Sequence, residues 1–398
     1  MDHRPCMSGS HPHTDPQAPE ATVACTPAAG GTSHHDYMAG RSVEPLELSG
    51  NEALADMIDN VFCGSGFNGR RLAEAAQLYR RMIEEGATVA LTVSGAMTPI
   101  GMSGIFSSLI ERGFVDFLIS TGANLYHDLH RPFDMPVVQG SAEVDDNDLN
   151  EKDVVRIYDI FIAGQDTLLA TDRIIVDVAS RFDTSQPFST AKFHHALGRE
   201  TQKLAPRPEK SFVATAARFD VPIYTSSPGD SSIGMNLIVP HLFGRRVNLN
   251  PILDVIETAA IVRDAESNGV VEIGGGSPKN FYMQTQPTLH QILYDTTKGG
   301  HDYFVQLTVD APHWGGLSGA TAAESKSWGK VKDARKNNVV VYSCASITFP
   351  LIAQYVLARC KPRKPRRLFT RIDDMVGVLR RNAQASATLK ELYPALFE

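Results

Sequence analysis

The 398-residue sequence predicts an α/β protein whose mostly parallel sheet carries helices on both faces, and three observations lead there. Short apolar runs alternate with stretches of helical periodicity, loops of small residues follow the runs, and the chain is long enough for one large domain or two smaller ones. Ligands of such sheets sit beyond the carboxyl ends of the strands, so those loops are where chemistry is expected.

The elements follow in order. Residues 1–42, rich in Pro, Gly, Thr, Ser and His and poor in large apolar side chains, have the composition of a disordered tail. Its His11, His13, His34 and His35 lack an accompanying Cys or carboxylate pattern, which favours a solvated tail over a metal site. Leu72, Ala76, Tyr79 and Ile83 recur at spacings of four, three and four before Gly86, predicting an amphipathic helix. "TVALTV" (88–93) then reads as a buried strand, "GMSGIFSSLIERG" (101–113) as a helix and "FVDFLIST" (114–121) as a second strand. The rhythm returns with "GVVEI" (269–273), a glycine turn, a helix through "TLHQIL" (288–293), strands at 303–309 and 338–343, and a helix at 347–360. Between them, the acidic stretch 141–153 is expected to be a solvated surface loop. The basic run "RCKPRKPRR" (359–367), interrupted by two prolines, is expected to be an exposed connection rather than an anion site.

Composition narrows the function. Apolar residues at 42%, charged residues at 21% and a net charge of −7 are ordinary for a globular protein and argue against nucleic-acid or anionic-membrane binding. Cys6, Cys25, Cys63, Cys344 and Cys360 show neither C-x-x-C spacing nor a disulfide framework, so reduced thiols in the cytoplasm are expected. No apolar run approaches the roughly eighteen residues of a membrane span, and the start lacks the apolar core of a secretion signal.

The loops carry the chemistry. "SGAMTPIG" (94–101) and "TGANLYHDLH" (121–130) both follow strands, and their small residues let phosphate oxygens approach backbone N–H groups near a helix start. Neither fits G-x-G-x-x-G. His127 and His130 stand three apart around Asp128; a metal pair is one reading, and a polar helix start with Asp128 favouring the dipole is the commoner one. In "SSPGDSSIG" (226–234), Asp230 suits either ribose hydroxyls or a turn cap. The three glycines of "GGGSPKN" (274–280) suit close approach of a cofactor as well as a sharp turn.

In "ESKSWGKVKDARK" (324–336), Lys330 stands two residues after Trp328. A nucleophilic lysine must be deprotonated near neutral pH, which takes desolvation or a cationic neighbour, and an indole wall supplies the first. Trp328 offers a face to a cationic amine and Glu324 a carboxylate. A single lysine is ordinarily a solvated surface group, but this combination suits imine chemistry on an amine.

Together, "SGAMTP", "STGANLYHDL", "PGDSSIG", "GGGSPKN" and above all "GGLSGATAAESKSWGK" resemble deoxyhypusine synthase and its bacterial deoxyhypusine-synthase-like relatives, over about residues 45–360. The resemblance implies a Rossmann-like NAD-binding catalytic domain at 43–370, a helical extension at 371–398, and a homotetramer with NAD at subunit interfaces. It implies aminobutyl transfer: NAD oxidises spermidine, diaminopropane leaves, a lysine holds the butyl imine, and an acceptor amine receives the group before reduction. On this resemblance Lys330 forms the imine, while Trp328, Glu324, His127, Asn280 and Ser318 line the amine site. Gly95, Ala96, Met97, Thr98, Thr121, Gly122, Ala123, Asp230, Gly274, Gly275, Gly276 and Ala345 would contact NAD; no metal is expected.

The sequence also departs from the protein-modifying enzymes. Met235 and Leu317 stand where those have acidic residues, Asn280 where they have histidine, His127 where they have glutamate, and Cys344 where an aspartate is usual in the NAD pocket. Fewer carboxylates around a partly dry amine site mean that spermidine cannot be held in the same way. A small diamine or polyamine is therefore the expected acceptor, as in homospermidine formation from putrescine. The other readings are modification of a lysine on a translation-factor precursor and a catalytically silent NAD-binding regulatory subunit.

Overall fold

The computed structural model describes residues 53–398 apart from 183, 184 and 246, so the expected tail at 1–42 lies outside the described residues. Helix α1 (Phe67–Glu84) buries Leu72, Ala76, Tyr79 and Ile83 on one face, and Gly86 ends the turn at φ 74°, where glycine is unstrained. Strand β1 (Thr88–Val93), helix α2 (Ser103–Glu111), strand β2 (Phe117–Ser120) and helix α3 (Gly122–Asp128) follow in the expected alternation. A small antiparallel sheet comes next, β3 (Val137–Gln139), β4 (Val154–Ile157) and β5 (Ile160–Ala163), in the order β3-β5-β4.

Helices α4 (Ala170–Arg181), α5 (Thr190–Leu204) and α6 (Phe212–Arg218) lead to the two-residue strand β6 (Ile223–Tyr224). Helices α7 (Ser232–Asn236) and α8 (Pro251–Asp264) precede β7 (Asn268–Ile273), α9 (Gly276–Pro287), β8 (Tyr303–Thr308) and α10 (Ala322–Ser327). Strand β9 (Asn338–Tyr342), α11 (Ala345–Arg359) and α12 (Ile372–Ala385) complete the set used below.

The main sheet has six strands in the order β6-β2-β1-β7-β8-β9, every neighbouring pair parallel, in a Rossmann-like α/β arrangement. Side chains alternate between its faces. Val89, Leu91, Val93, Val271, Ile273, Val305 and Leu307 pack into one core with α1, α2 and α11. Ala90, Ile119, Val270 and Phe304 pack into the other with α8, α9 and α12. Burial on both faces is why these strands read as continuous apolar runs. A polar row interrupts the second core, because Thr92, Glu272 and Gln306 are neighbours in register across β1, β7 and β8.

From β1 the chain moves outward to β2 and β6, then returns to β7 on the other side of β1. The strand order therefore switches between β1 and β7, and the loops beginning at residues 94 and 274 flank the switch point.

Several expectations change. The acidic stretch is not loop throughout: Asp146–Glu151 is a short helix whose first turn is capped by Asp145, which accepts from the Asn147 N–H at 2.9 Å. Cys63 is disulfide-bonded, against the expectation of reduced thiols, whereas Cys344 and Cys360 are free. Beyond Arg359, which ends α11, the basic run is an exposed connection as expected, with Arg363 turned inward. Arg363 donates to Gly113 O at 2.8 Å, Ala87 O at 2.9 Å and the buried Asp116 carboxylate at 3.2 Å. Among the described residues no helix is long and apolar enough to cross a membrane.

Candidate active site

The loop after β1 is fastened to α3 by one buried amide. Asn124 Oδ1 accepts from Met97 N at 2.7 Å and Thr98 N at 3.3 Å, and its Nδ2 donates to Gly95 O at 3.2 Å and Thr121 Oγ1 at 2.9 Å. Arg131 adds a donor to Thr98 O at 2.7 Å. Thr121 donates to Gly95 O at 2.6 Å rather than capping its own helix, so the first N–H groups of α3 have no side-chain cap. Thr98 is fully buried with its hydroxyl on Asn124 O, which leaves it no side-chain donor for a ligand.

The glycine run after β7 is shaped by the loop after β8. A Cβ on Gly275 would lie 2.4 Å from Ser318 Cα, and Gly276 N donates to Ser318 Oγ at 2.8 Å. Lys279, only 2% exposed, reaches back to Gln306 Oε1 at 2.8 Å and Ala320 O at 2.8 Å. Gly275 thus permits two loops to touch.

Lys330 leaves α10 through a tight turn. Gly329 adopts φ 67°, and a Cβ there would lie 2.8 Å from His290 Nε2. The backbone of Lys330 is pinned on both sides: its N–H donates to Ser325 O and its carbonyl accepts from His301 N, each at 2.9 Å. Nζ donates to Asn280 Oδ1 at 3.3 Å and sits 5.7 Å from the centre of the Trp328 ring. Burial, then the Lys279 ammonium, lower the pKa of Lys330, while Glu324 and Glu272 oppose them. A primary amine with depressed basicity, one acceptor and an aromatic wall is equipped for attack on a carbonyl or imine carbon.

The sequence has relatives among known proteins. The family model for deoxyhypusine synthase matches residues 56–356. The chain belongs to the deoxyhypusine synthase family. It is 43% identical to the deoxyhypusine synthase-like protein of Nostoc sp. over 86% of this chain and 91% of that one. To the deoxyhypusine synthase-like protein of Nostoc punctiforme it is 42% identical, over 88% and 91%. A crystal structure assigned as a deoxyhypusine synthase from Entamoeba histolytica superposes with a TM-score of 0.52 at 18% identity, covering 81% of this chain and 99% of that one, a likeness of fold.

Within this family member the site residues fall into two groups. Lys330, Trp328, Asn280 and Ser318 gather where α9, α10 and the loop after β8 meet, with Glu324 exposed on α10. His127 belongs elsewhere, at the end of α3, its Nδ1 2.9 Å from His130 Nε2; His130 Nδ1 is 2.8 Å from Thr171 Oγ1. Burial lowers both imidazoles, His127 to about 4 and His130 to about 3, so they are neutral at pH 7. Among the described residues no three His, Cys, Asp or Glu side chains could hold a metal ion together. Asp128 does not serve its own helix dipole, because α3 ends there. Its carboxylate accepts from Ser211 Oγ at 2.5 Å, Phe212 N at 3.2 Å and Val213 N at 3.1 Å, and so caps α6.

The remaining cofactor candidates line the carboxyl edge of the sheet. Asp230 is exposed in the turn after β6, where its N–H donates to Ser227 O at 3.1 Å. Gly122 is bare because Ser231 Cβ lies 2.1 Å from where its Cβ would be. Ala345 opens α11, whose first turn also lacks a side-chain cap. Beside it, Cys344 Sγ is 2.9 Å from Ser346 Oγ, and hydrogen bonds from Ser346 lower its pKa.

Sequence reasoning passed over Lys279, Glu272 and Asp172. Asp172, on α4, accepts from Tyr126 OH at 2.9 Å and Asn236 Nδ2 at 2.6 Å, the residues next in sequence to His127 and Met235. For Glu272 the signal was present: a charged residue inside a continuous apolar run. For Lys279 and Asp172 there was none, since their partners come from distant segments.

Gly329→Ala is expected to cost about 1–3 kcal/mol in urea unfolding through the left-handed backbone and the His290 clash. It should also impair imine trapping at an intact Lys330, and unchanged trapping would show that the turn does not aim the amine.

Proposed function

We propose that this protein is a cytoplasmic NAD-dependent aminoalkyl transferase that carries an aminobutyl-type group as an imine on Lys330 and passes it to a small diamine or polyamine. The observation that carries this is the Lys330 amine, its basicity lowered by burial and Lys279, held between Asn280 Oδ1 and the Trp328 face. Free-base lysine attacks; Asn280 takes one N–H and orients the amine; Trp328 keeps water from one side; Glu324 stands ready for the substrate's second ammonium group.

The loops fit a phosphate-bearing dinucleotide. Helices α3 and α11 begin at the carboxyl edge with no side-chain cap, and Gly95, Ala96 and Met97 lie on the loop that Asn124 holds. These residues, with Ala123, Asp230 and Ala345, would hold NAD; Thr98 supports the loop from beneath. Bound NAD supplies hydride acceptance from the donor amine and hydride return to the product.

Met235 and Leu317 are exposed apolar side chains where the protein-modifying enzymes have acids. A cleft of about 250 Å³ opens beside Asn280, lined also by Thr258, Ser277 and Gln284, neutral acceptors suited to a small amine. Among the described residues no hydrogen bond or ring contact joins His127 to Lys330 or Trp328. This supports sites completed between subunits of a homotetramer.

The test is mass spectrometry of the protein with NAD, putrescine, spermidine or agmatine, and borohydride. An adduct on Lys330 with the mass of one donor fragment is expected. No adduct with any of these amines, in protein that binds NAD, would overturn the reading in favour of a silent NAD-binding subunit.

A further inference from the structure

His127 stands beside the loop after β1, because Asn124 and Arg131, on either side of it in the chain, both bond to that loop. The ring is half-buried; its Nδ1 meets His130 Nε2 at 2.9 Å, while its Nε2 has no partner among the described residues and is not enclosed. His130, with no exposed surface, passes the contact on through Nδ1 to Thr171 Oγ1 at 2.8 Å. Thr171 is the fixed end of this chain. Its hydroxyl has one proton, and its other neighbours, the Thr167 carbonyl at 2.8 Å and Met135 Sδ at 3.2 Å, can only accept. The proton therefore points away from His130, and the Thr171 oxygen receives His130 Nδ1–H. His130 Nε2 is then a lone pair, which receives His127 Nδ1–H and leaves a lone pair on His127 Nε2.

We propose that His130 and Thr171 are positioning residues that lock His127 in one tautomer, so that its Nε2 accepts a hydrogen bond from an N–H of the incoming acceptor amine. The groups around the ring suit an acceptor that stays neutral. Arg131, committed to Thr98 O and Pro99 O, disfavours a proton on the imidazole, and burial acts in the same direction. Asp128 is turned to α6, Tyr126 packs edge-on at 5.2 Å with its hydroxyl given to Asp172 of α4, and α7 brings no titratable group. An amine attacks an imine carbon only as the free base. A carboxylate at this place would hold the ammonium form, whereas a neutral imidazole accepts N–H from the free amine without favouring its cation. That the N–H belongs to the acceptor amine rests on the transferase reading above; the tautomer does not.

Diethyl pyrocarbonate acylates an imidazole only through an accessible lone pair, and peptide mass spectrometry locates the product, so the tautomer is tested without NAD or any amine. Wild-type His127 should react at the same rate from pH 6 to 8, while N-acetylhistidine, added as an internal standard, slows about fourfold at pH 6 as it protonates. An unreactive His127 overturns the proposal, because in the other tautomer its lone pair is turned to His130. In Thr171→Val the chain loses its fixed end, and His127 labelling should fall about twofold as the two tautomers equalise, with Thr171→Ser restoring it. Equal labelling of wild type and folded Thr171→Val overturns the lock. If that variant does not fold, the wild-type pH profile decides. At pH 8 with NAD, at least one of putrescine, spermidine and agmatine should remove most of the His127 labelling relative to the standard. Protection by none overturns the acceptor role, and the borohydride adduct on Lys330, present or absent in the same samples, tells whether the transferase reading fails with it.

Discussion

Lys330→Ala will bind NAD, unfold at the same urea concentration as the wild type, and give no borohydride adduct. The side chain is half-buried with one hydrogen bond, to Asn280, so its removal costs little stability. Its chemistry has no substitute nearby. Lys279 is the nearest second amine, but its Nζ is committed to Gln306 and Ala320 inside the core and cannot reach a substrate without unpicking the loop after β8. Turnover should fall by at least about a thousandfold, as expected when a covalent nucleophile is lost. Equal trapping in the variant would remove Lys330 from the reaction.

Arg363→Ala should do the reverse, weakening the fold while leaving the Lys330 chemistry in place. The guanidinium ties three segments at the amino-terminal end of the sheet: Ala87 before β1, Gly113 after α2 and Asp116 before β2. Burial pushes the Asp116 carboxyl up, and Arg363 is the chief charge holding it down. Removing the arginine leaves a carboxylate that is 2% exposed with Val89 N–H at 2.8 Å and Arg366 at 3.6 Å, and two carbonyls that lose this donor. The expected cost is about 3–5 kcal/mol, read as a lower urea midpoint at unchanged slope. Adding Asp116→Asn should recover part of it, because the two side chains act on one another. A loss under about 1 kcal/mol would mean that water replaces the arginine. Since the candidate site lies at the opposite, carboxyl end of the strands, trapping at Lys330 should persist in whatever fraction is folded.

The legible parts of this protein were those whose physics is local. Strands β1, β7 and β8 announced themselves because a parallel strand buried on both faces must be apolar throughout, and α1 because one face of a helix meets the core. Strand β6 spans two residues, too short for any period to show, and the small β3-β5-β4 sheet is largely half-exposed, so neither was anticipated. Lys330 was legible through Trp328 and Gly329, its neighbours in sequence. Asn280 was placed beside it by family resemblance, and the structure supplies the 3.3 Å contact. What stayed hidden was set by long-range pairing. The 83 residues separating Asp128 from Ser211 conceal a helix cap, and the packing of Ser318 against Gly275 leaves no trace in the spacing of the glycine run.

The polar row Thr92, Glu272 and Gln306 has a meaning for evolution. At Thr92 and Glu272, whose side-chain oxygens have no hydrogen-bond partner among the described residues, apolar side chains of similar volume would remove that cost, whereas Gln306 accepts from the buried Lys279 ammonium and cannot be exchanged so cheaply. A laboratory selection for heat resistance alone would therefore be drawn to Thr92 and Glu272 early. Lineages that keep the row under thermal pressure would be those in which the reaction, rather than the fold, is what survival depends on.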